Sequence, residues 1–350
     1  MLTRIATTAS AMMMLLSVQA GAAAPQLPPN AVGPQTTVVS YMDGASFTPD
    51  AMRQAARAVL GPNSPSLAQL NQQIAKYQEQ YDKATKAGVQ SLMVIANTSA
   101  QRNPGGANAA APEGMKEQAA TWVQLKPGAD SAAVEKMIRE EMKPADQEKN
   151  VFERQGNFLV VHEKDQKLPA ASDADRAKQF IEALSHAANA AVVVAFIPDQ
   201  ATRDQAKNQQ NNANTPKWIA DAMPVLSNSK WGTLAVSFGQ SPAITVTVQT
   251  ADDQSAKTLA TSINAGLAQL RQLAQNPNQG PGAGGPMAMF APMLAPLADA
   301  LKPNQQGSTV TVQLNGPALA MIAETAANLA PVFMGGNGQG QGNPGARRGR

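Results

Sequence analysis

Apolar residues recur along this chain with two different periods. A period of two, or an unbroken apolar run, predicts strands at TTVVSYMD (36–43), VQSLMVIANT (89–98), QAATWVQLKPG (118–128) and AAVVVAFIPD (190–199). NVFERQGNFLVVHE (150–163) reads as a hairpin turning at Gln155-Gly156. WGTLAVSFG and AITVTVQTA form a second hairpin signal around Gln240-Ser241-Pro242. STVTVQLNG (308–316) alternates strictly, with Val310, Val312 and Leu314 on one side and Thr311 and Gln313 on the other.

A period near 3.6 predicts the helices between them. Thr48 caps the first, Pro49 opens it and Gly61 stops it. In SLAQLNQQIAKYQEQYDKATKAG, Leu67, Leu70, Ile74, Tyr77, Tyr81 and Ala84 recur at threes and fours. DSAAVEKMIREEM buries Val134, Met137, Ile138 and Met142, and SDADRAKQFIEALSHA opens with Ser172 and Asp175 as a capping box. A helix near 215–226 follows. SAKTLATSINAGLAQLRQLA carries Leu259, Ile263, Leu267 and Leu270 on one stripe, and GPALAMIAETAANLAPVF ends the folded part.

In order, these elements run β-α-β-β-α-β twice. WVQLKPGADSAAVEKMI and TVQTADDQSAKTLATSI echo each other as strand, turn, Ser-Ala and amphipathic helix. The predicted fold class is α+β: tandem ferredoxin-like units with antiparallel sheets and helices on one face. The units span 36–188 and 189–333, and their sheets could join across the 157–163 and 190–198 strands. A flexible Met-rich insertion (276–300) interrupts the second unit, and a disordered Gly/Arg tail (334–350) follows it.

The N-terminus reads as a leader. Arg4 precedes a short apolar stretch, and Val18-Gln19-Ala20 fits a small-x-small cleavage site. The run falls short of the roughly 20 apolar residues of a span. Residues 1–23 are therefore expected to be a signal peptide and 24–35 an extended leader, and the protein is expected to be periplasmic or secreted, with no transmembrane span. The leader, the Cys-poor Ala/Gln/Pro-rich body, strand-to-helix units such as ADDQSAKTLATSINAGLAQL and the Gly-rich tail together resemble uncharacterised secreted proteins of planctomycete-type bacteria. That resemblance implies location and architecture and assigns no activity or site residue.

Composition removes several chemistries. With no Cys, thiol nucleophiles, iron–sulfur clusters and thiolate zinc sites are excluded. The net charge of +3 belongs to the ends: Arg4 would leave with the leader, and Arg347, Arg348 and Arg350 more than account for the remainder, leaving the body at −1. A nucleic-acid partner is not expected, because the body has no basic cluster and aromatics are only 4% of the chain. The tail arginines offer at most weak, salt-sensitive contact with anionic polymer or headgroups.

Candidate chemistry is sparse. His162 and His186 lie far apart, with no further His or Cys at ligand spacing. Gly280, Gly282 and Gly285 make a formal G-x-G-x-x-G, but it follows a helix and contains Pro281, so it does not open a phosphate-binding helix. Asp43, Asp173/Asp175, Asp252/Asp253 and Glu140/Glu141 are the carboxylates a hydrolase could use across a cleft between the units. Most stand where helix capping or solvation explains them. Met287, Met289 and Met293 suit Cu(I), yet they sit among Phe290, Leu294, Leu297 and Leu301, as an apolar flap would. The Leu67–Ala84 stripe packs on its own sheet or forms a homodimer contact. The reading is an exported, non-enzymatic binding or structural module of the cell envelope. Its partner is an unidentified envelope protein or polymer, and it has no assigned cofactor, metal or catalytic residue. An envelope hydrolase and a Met-based Cu(I) binder are the alternatives.

Overall fold

A computed structural model describes residues 25–97, 118–169, 171–200, 202–204, 206, 215, 217–275, 294–316 and 318–322. The chain is α+β. Its ten strands are β1 (Thr36–Asp43), β2 (Val89–Asn97), β3 (Gln118–Leu125), β4 (Asn150–Gln155), β5 (Phe158–Glu163), β6 (Val192–Phe196), β7 (Trp231–Ser237), β8 (Ala243–Gln249), β9 (Pro303–Gln306) and β10 (Thr309–Asn315). They form one sheet in the order β4-β5-β3-β2-β1-β6-β7-β8-β10-β9. Every neighbouring pair is antiparallel.

Seven helices have defined bounds: α1 (Pro49–Leu60), α2 (Pro65–Ala87), α3 (Ser131–Glu141), the single turn α4 (Pro144–Gln147), α5 (Ala174–Ser185), α6 (Lys217–Ser227) and α7 (Asp253–Gln275). Helical turns also cover 294–300 and 318–322.

The strand order corrects the ferredoxin-like expectation. A split β-α-β unit holds its first two strands parallel with another between them. Here β1 pairs β2 directly and antiparallel, and β6 pairs β7 likewise. The cause in the first half is the connection. Two helices, α1 and α2, return the chain to the end of the sheet it left, so the next strand runs back alongside. The junction between halves differs too. The two sheets merge through β1 and β6, with Val39 opposite Ala195 and Tyr41 opposite Val193, and not through β5. Each half nevertheless lays its strands down in the same order from this junction outward: β1-β2-β3-β5-β4 and β6-β7-β8-β10-β9.

Helices also cover both faces of the first half instead of one. Alternation along the strands sends Val39, Met93, Trp122, Val160 and Val193 to a back face, where Phe180 and Leu184 of α5 meet them with Val32 of the leader. The intervening residues Met42, Leu92, Val123 and Val161 face front, against Ala84 of α2 and Val134 and Ile138 of α3. β5 is therefore buried along nearly its whole length, as a strand packed on both sides must be. The Leu67–Ala84 stripe is spent inside the protomer: Ile74 is 1% exposed, and Leu67, Tyr77 and Ala84 are buried. In the second half, α6 and α7 pack on the front face at one end, with Ala222, Val225 and Leu259 against Val310 and Val248.

Candidate functional site

The carboxylates singled out from sequence hold the backbone. Asp43 accepts from Ala45 N (3.2 Å), Ser46 N (3.1 Å) and the Ser46 hydroxyl (2.5 Å), closing the turn after β1. Asp173 caps α5 by accepting from Arg176 N at 3.0 Å, so the cap is this residue and not Ser172. Asp252 accepts from Ser255 N at 2.7 Å at the start of α7. That bond holds its carboxyl below the usual carboxylate range. Asp175, Asp253, Glu140 and Glu141 are exposed. Asp43 lies at the Ala243 end of the sheet and Asp252 beyond the Gln249 end. The length of β8 separates those ends by roughly 20 Å. No cleft of glycosidase width joins them.

The histidines are likewise apart. His162 is buried on β5, its Nδ1 2.9 Å from the Glu163 carbonyl oxygen and its Nε2 3.5 Å from a Glu153 carboxylate oxygen on β4. His186 is exposed at the end of α5, its ring 4.9 Å from that of Trp231. Among the described residues, no group of three or more His, Asp and Glu side chains could hold a metal ion. Met287, Met289 and Met293, the Gly280–Gly285 motif and the tail arginines lie outside the described residues.

What the structure does assemble is an apolar surface that no helix covers at its centre among the described residues and that the sequence reading missed. On the front face of the second half, cross-strand register sets Val194 opposite Leu234, Leu234 opposite Val246, and Val246 opposite Val312. The row continues to Pro303 on β9. Leu234 and Val246, at its centre, are 41% and 42% exposed. The rows on either side, Val192–Val236–Ile244–Leu314 and Phe196–Gly232–Val248–Val310, are also free of polar side chains. Val310 and Leu314 are buried at the β10 side, so the exposed part of the patch centres on β7 and β8.

Its borders follow from the helices. α2 packs over β2 and α7 over β9 and β10. Five strand steps separate β2 from β10, about 24 Å at the usual interstrand spacing. Subtracting one helix diameter leaves a trough about 13 Å wide. One end is closed by α1, where Phe238 after β7 meets Phe47 edge-on (5.3 Å) and Gly239 N donates to Ala51 O. At the other end α6 covers Val248. α6 itself has only two charged residues, Lys217 and Asp221, which pair with each other at 3.1 Å. Its Ile219 and Met223 remain only half-buried. The signal available in the sequence was arithmetical: four strand patterns in the second half, against three helix patterns to cover two sheet faces.

Among the described residues, no helix is long and apolar enough to cross a membrane. No family model matches the chain, and neither does any curated protein. A solved structure of TP0453, in its crystal form I, aligns with 87% of this chain and 99% of its own at 8% identity and a TM-score of 0.29, values that carry no argument about fold or function.

Proposed function

We propose that the protein is exported by its N-terminal leader and serves in the cell envelope as a non-catalytic binding module, with the front face of its second half as the binding surface. The observation that carries this reading is the row Val194–Leu234–Val246–Val312, apolar throughout and more than 40% exposed at its centre. Soluble proteins rarely leave a contiguous aliphatic patch in water without a use for it. The carboxylates support the same reading, since the caps are occupied with backbone amides. The matching strand order of the two halves supports their descent from one duplicated five-strand unit.

The test is binding of the uncharged dye N-phenylnaphthylamine. Saturable fluorescence enhancement is expected with the purified chain, and its loss in Leu234→Asp and Val246→Asp. Both positions already see water, so these variants should keep their melting behaviour. Equal dye binding by the wild type and both variants would remove the basis of the proposal. Export is tested separately, by fractionating the native host and sequencing the N-terminus of the envelope form. An uncleaved, cytoplasmic chain would contradict it.

A further inference from the structure

We infer that the seam between β1 and β6 is a complete subunit interface: the two halves bind each other without the peptide link between them, and each accepts its complement from a second copy of this chain. This goes beyond the binding-module reading and does not depend on it. Four observations carry it. First, the halves agree in register as well as in strand order. Outward from the seam, the row Ser40–Val94–Thr121–Val161–Phe152 is matched by Val194–Leu234–Val246–Val312–Pro303. Two residues further along each chain, Met42–Leu92–Val123–Leu159–Arg154 is matched by Phe196–Gly232–Val248–Val310–Gln305, with no slip at any step. Second, the seam obeys the rule of a two-fold contact: where one residue meets another, their counterparts meet in turn. Val38 lies opposite Phe196 and Met42 opposite Val192, which are counterpart pairs, and Ser40 opposite Val194 marks the axis. The hydrogen bonds at the two ends of the seam are counterparts too: Asp43 N donates to Ala191 O at 3.0 Å, and Ile197 N to Thr37 O at 2.9 Å. Third, the surfaces joined are buried and apolar, as in a permanent dimer. Val39, Val193 and Ala195 are at most 1% exposed, and Phe180 and Leu184 of the first half share one core with Trp231 of the second. Fourth, the covalent link is peripheral. The chain crosses from α5 to β6 through a turn in which His186 and Asn189 are exposed.

The experiment uses the full chain with a site-specific protease sequence inserted after Asn189, folded first and then cut. The two halves are expected to leave a size-exclusion column together, at the volume of the uncut chain, and to do so again after unfolding in urea and dilution. A disulfide reads the seam itself. Because Asp43–Ala191 and Thr37–Ile197 are joined by hydrogen bonds, alternation makes Ser40–Val194 a non-hydrogen-bonded pair, with Cα atoms about 4.5 Å apart, within disulfide range. The chain has no Cys, so Ser40→Cys combined with Val194→Cys allows a single bridge. The cut halves of that double variant should run as one band without reductant and as two with it; in the uncut chain the same bridge is read as loss of free thiol. Exchange between copies is tested by unfolding cut Ser40→Cys chains together with cut Val194→Cys chains. Refolding should produce the same linked band. Halves that separate on the column would show that the peptide link holds the seam, and would overturn the inference. Halves that stay together but fail to recombine from urea, or fail to exchange, would overturn the claim that each accepts its complement. Free thiols persisting in the folded double variant would overturn the register on which the two-fold rests. None of these outcomes bears on dye binding at Leu234 and Val246, so the two readings fail separately.

Discussion

Gly88 does two jobs at the junction of α2 and β2, and replacing it with alanine separates them. Its φ of 91° and ψ of 19° end the helix in the left-handed region, with its N–H donating to Ala84 O and Thr85 O. Its carbonyl accepts from Lys126 N at 2.8 Å, tying the junction to the turn after β3. A Cβ added here would stand 2.6 Å from the Ala129 Cβ. The left-handed conformation costs an alanine about 1–2 kcal/mol. Forcing two methyl groups apart in a packed turn adds about 1–3 kcal/mol. Gly88→Ala is therefore expected to destabilise by about 2–5 kcal/mol. Gly156, in the β4–β5 turn, provides an internal control. Its φ is 62°, but nothing lies within 4 Å of its added Cβ, so Gly156→Ala should cost the conformational part alone, about 1–2 kcal/mol. Urea unfolding followed by far-UV circular dichroism measures both, provided the slopes agree. Ala129→Gly in the Gly88→Ala background should restore the steric part only, a coupling of about 1–3 kcal/mol. If Gly88→Ala costs no more than Gly156→Ala, or Ala129→Gly restores nothing, close approach is not what fixes this junction.

Three further outcomes are expected. Ile74→Lys should cost about 3–5 kcal/mol in urea unfolding, because the side chain is 1% exposed inside the protomer; a folded, merely monomeric variant would return that stripe to a subunit interface. Burial, with the Asp43 charge second, pushes the Tyr41 hydroxyl up from 10.0 to about 12. The fold favours the neutral phenol, so that contribution is intact below pH 10.0 and declines as pH rises toward about 12. The stability gap between wild type and Tyr41→Phe should narrow over that window in thermal melts. Asp252 shows the opposite sign: its lowered carboxyl contributes above the ordinary value of 3.8 and loses that contribution as pH falls below it. The stability advantage over Asp252→Ala should shrink in acid, and a pH-independent advantage would mean that the cap acts without its charge.

The sequence revealed elements wherever burial imposed a period. Val310, Val312 and Leu314 were assigned to one side of a strand, and they share the front face. The turn at Gln155-Gly156 forms as read, with Gln155 opposite Phe158. β9 escaped notice because Pro-Asn-Gln-Gln at a sheet edge buries almost nothing and so has no pattern. Strand order escaped for a different reason. Alternation states which residues share a face, but neighbours across the sheet are chosen by connections such as the α1–α2 pair. The trough escaped for a related reason. Leu234 and Val310 look alike in sequence, yet Val310 lies against α7 while Leu234 stays 41% exposed. Periodicity identifies an apolar face; it does not say whether anything lies upon it.

The seam between β1 and β6 has a consequence for how the chain reaches this structure. Val39 and Ala195 face each other at the centre of the sheet, though about 150 residues of chain separate them, a separation that slows folding through loop closure. While the chain is made from its N-terminus, β1 can pair with β2 on one edge, but its other edge stays unpaired until β6 emerges. That edge includes Val39, Val38 and Tyr41, an apolar template for pairing with another molecule. The chain is therefore most prone to aggregate when half of it exists, and the last step of sheet closure is the one that hides its earliest strand.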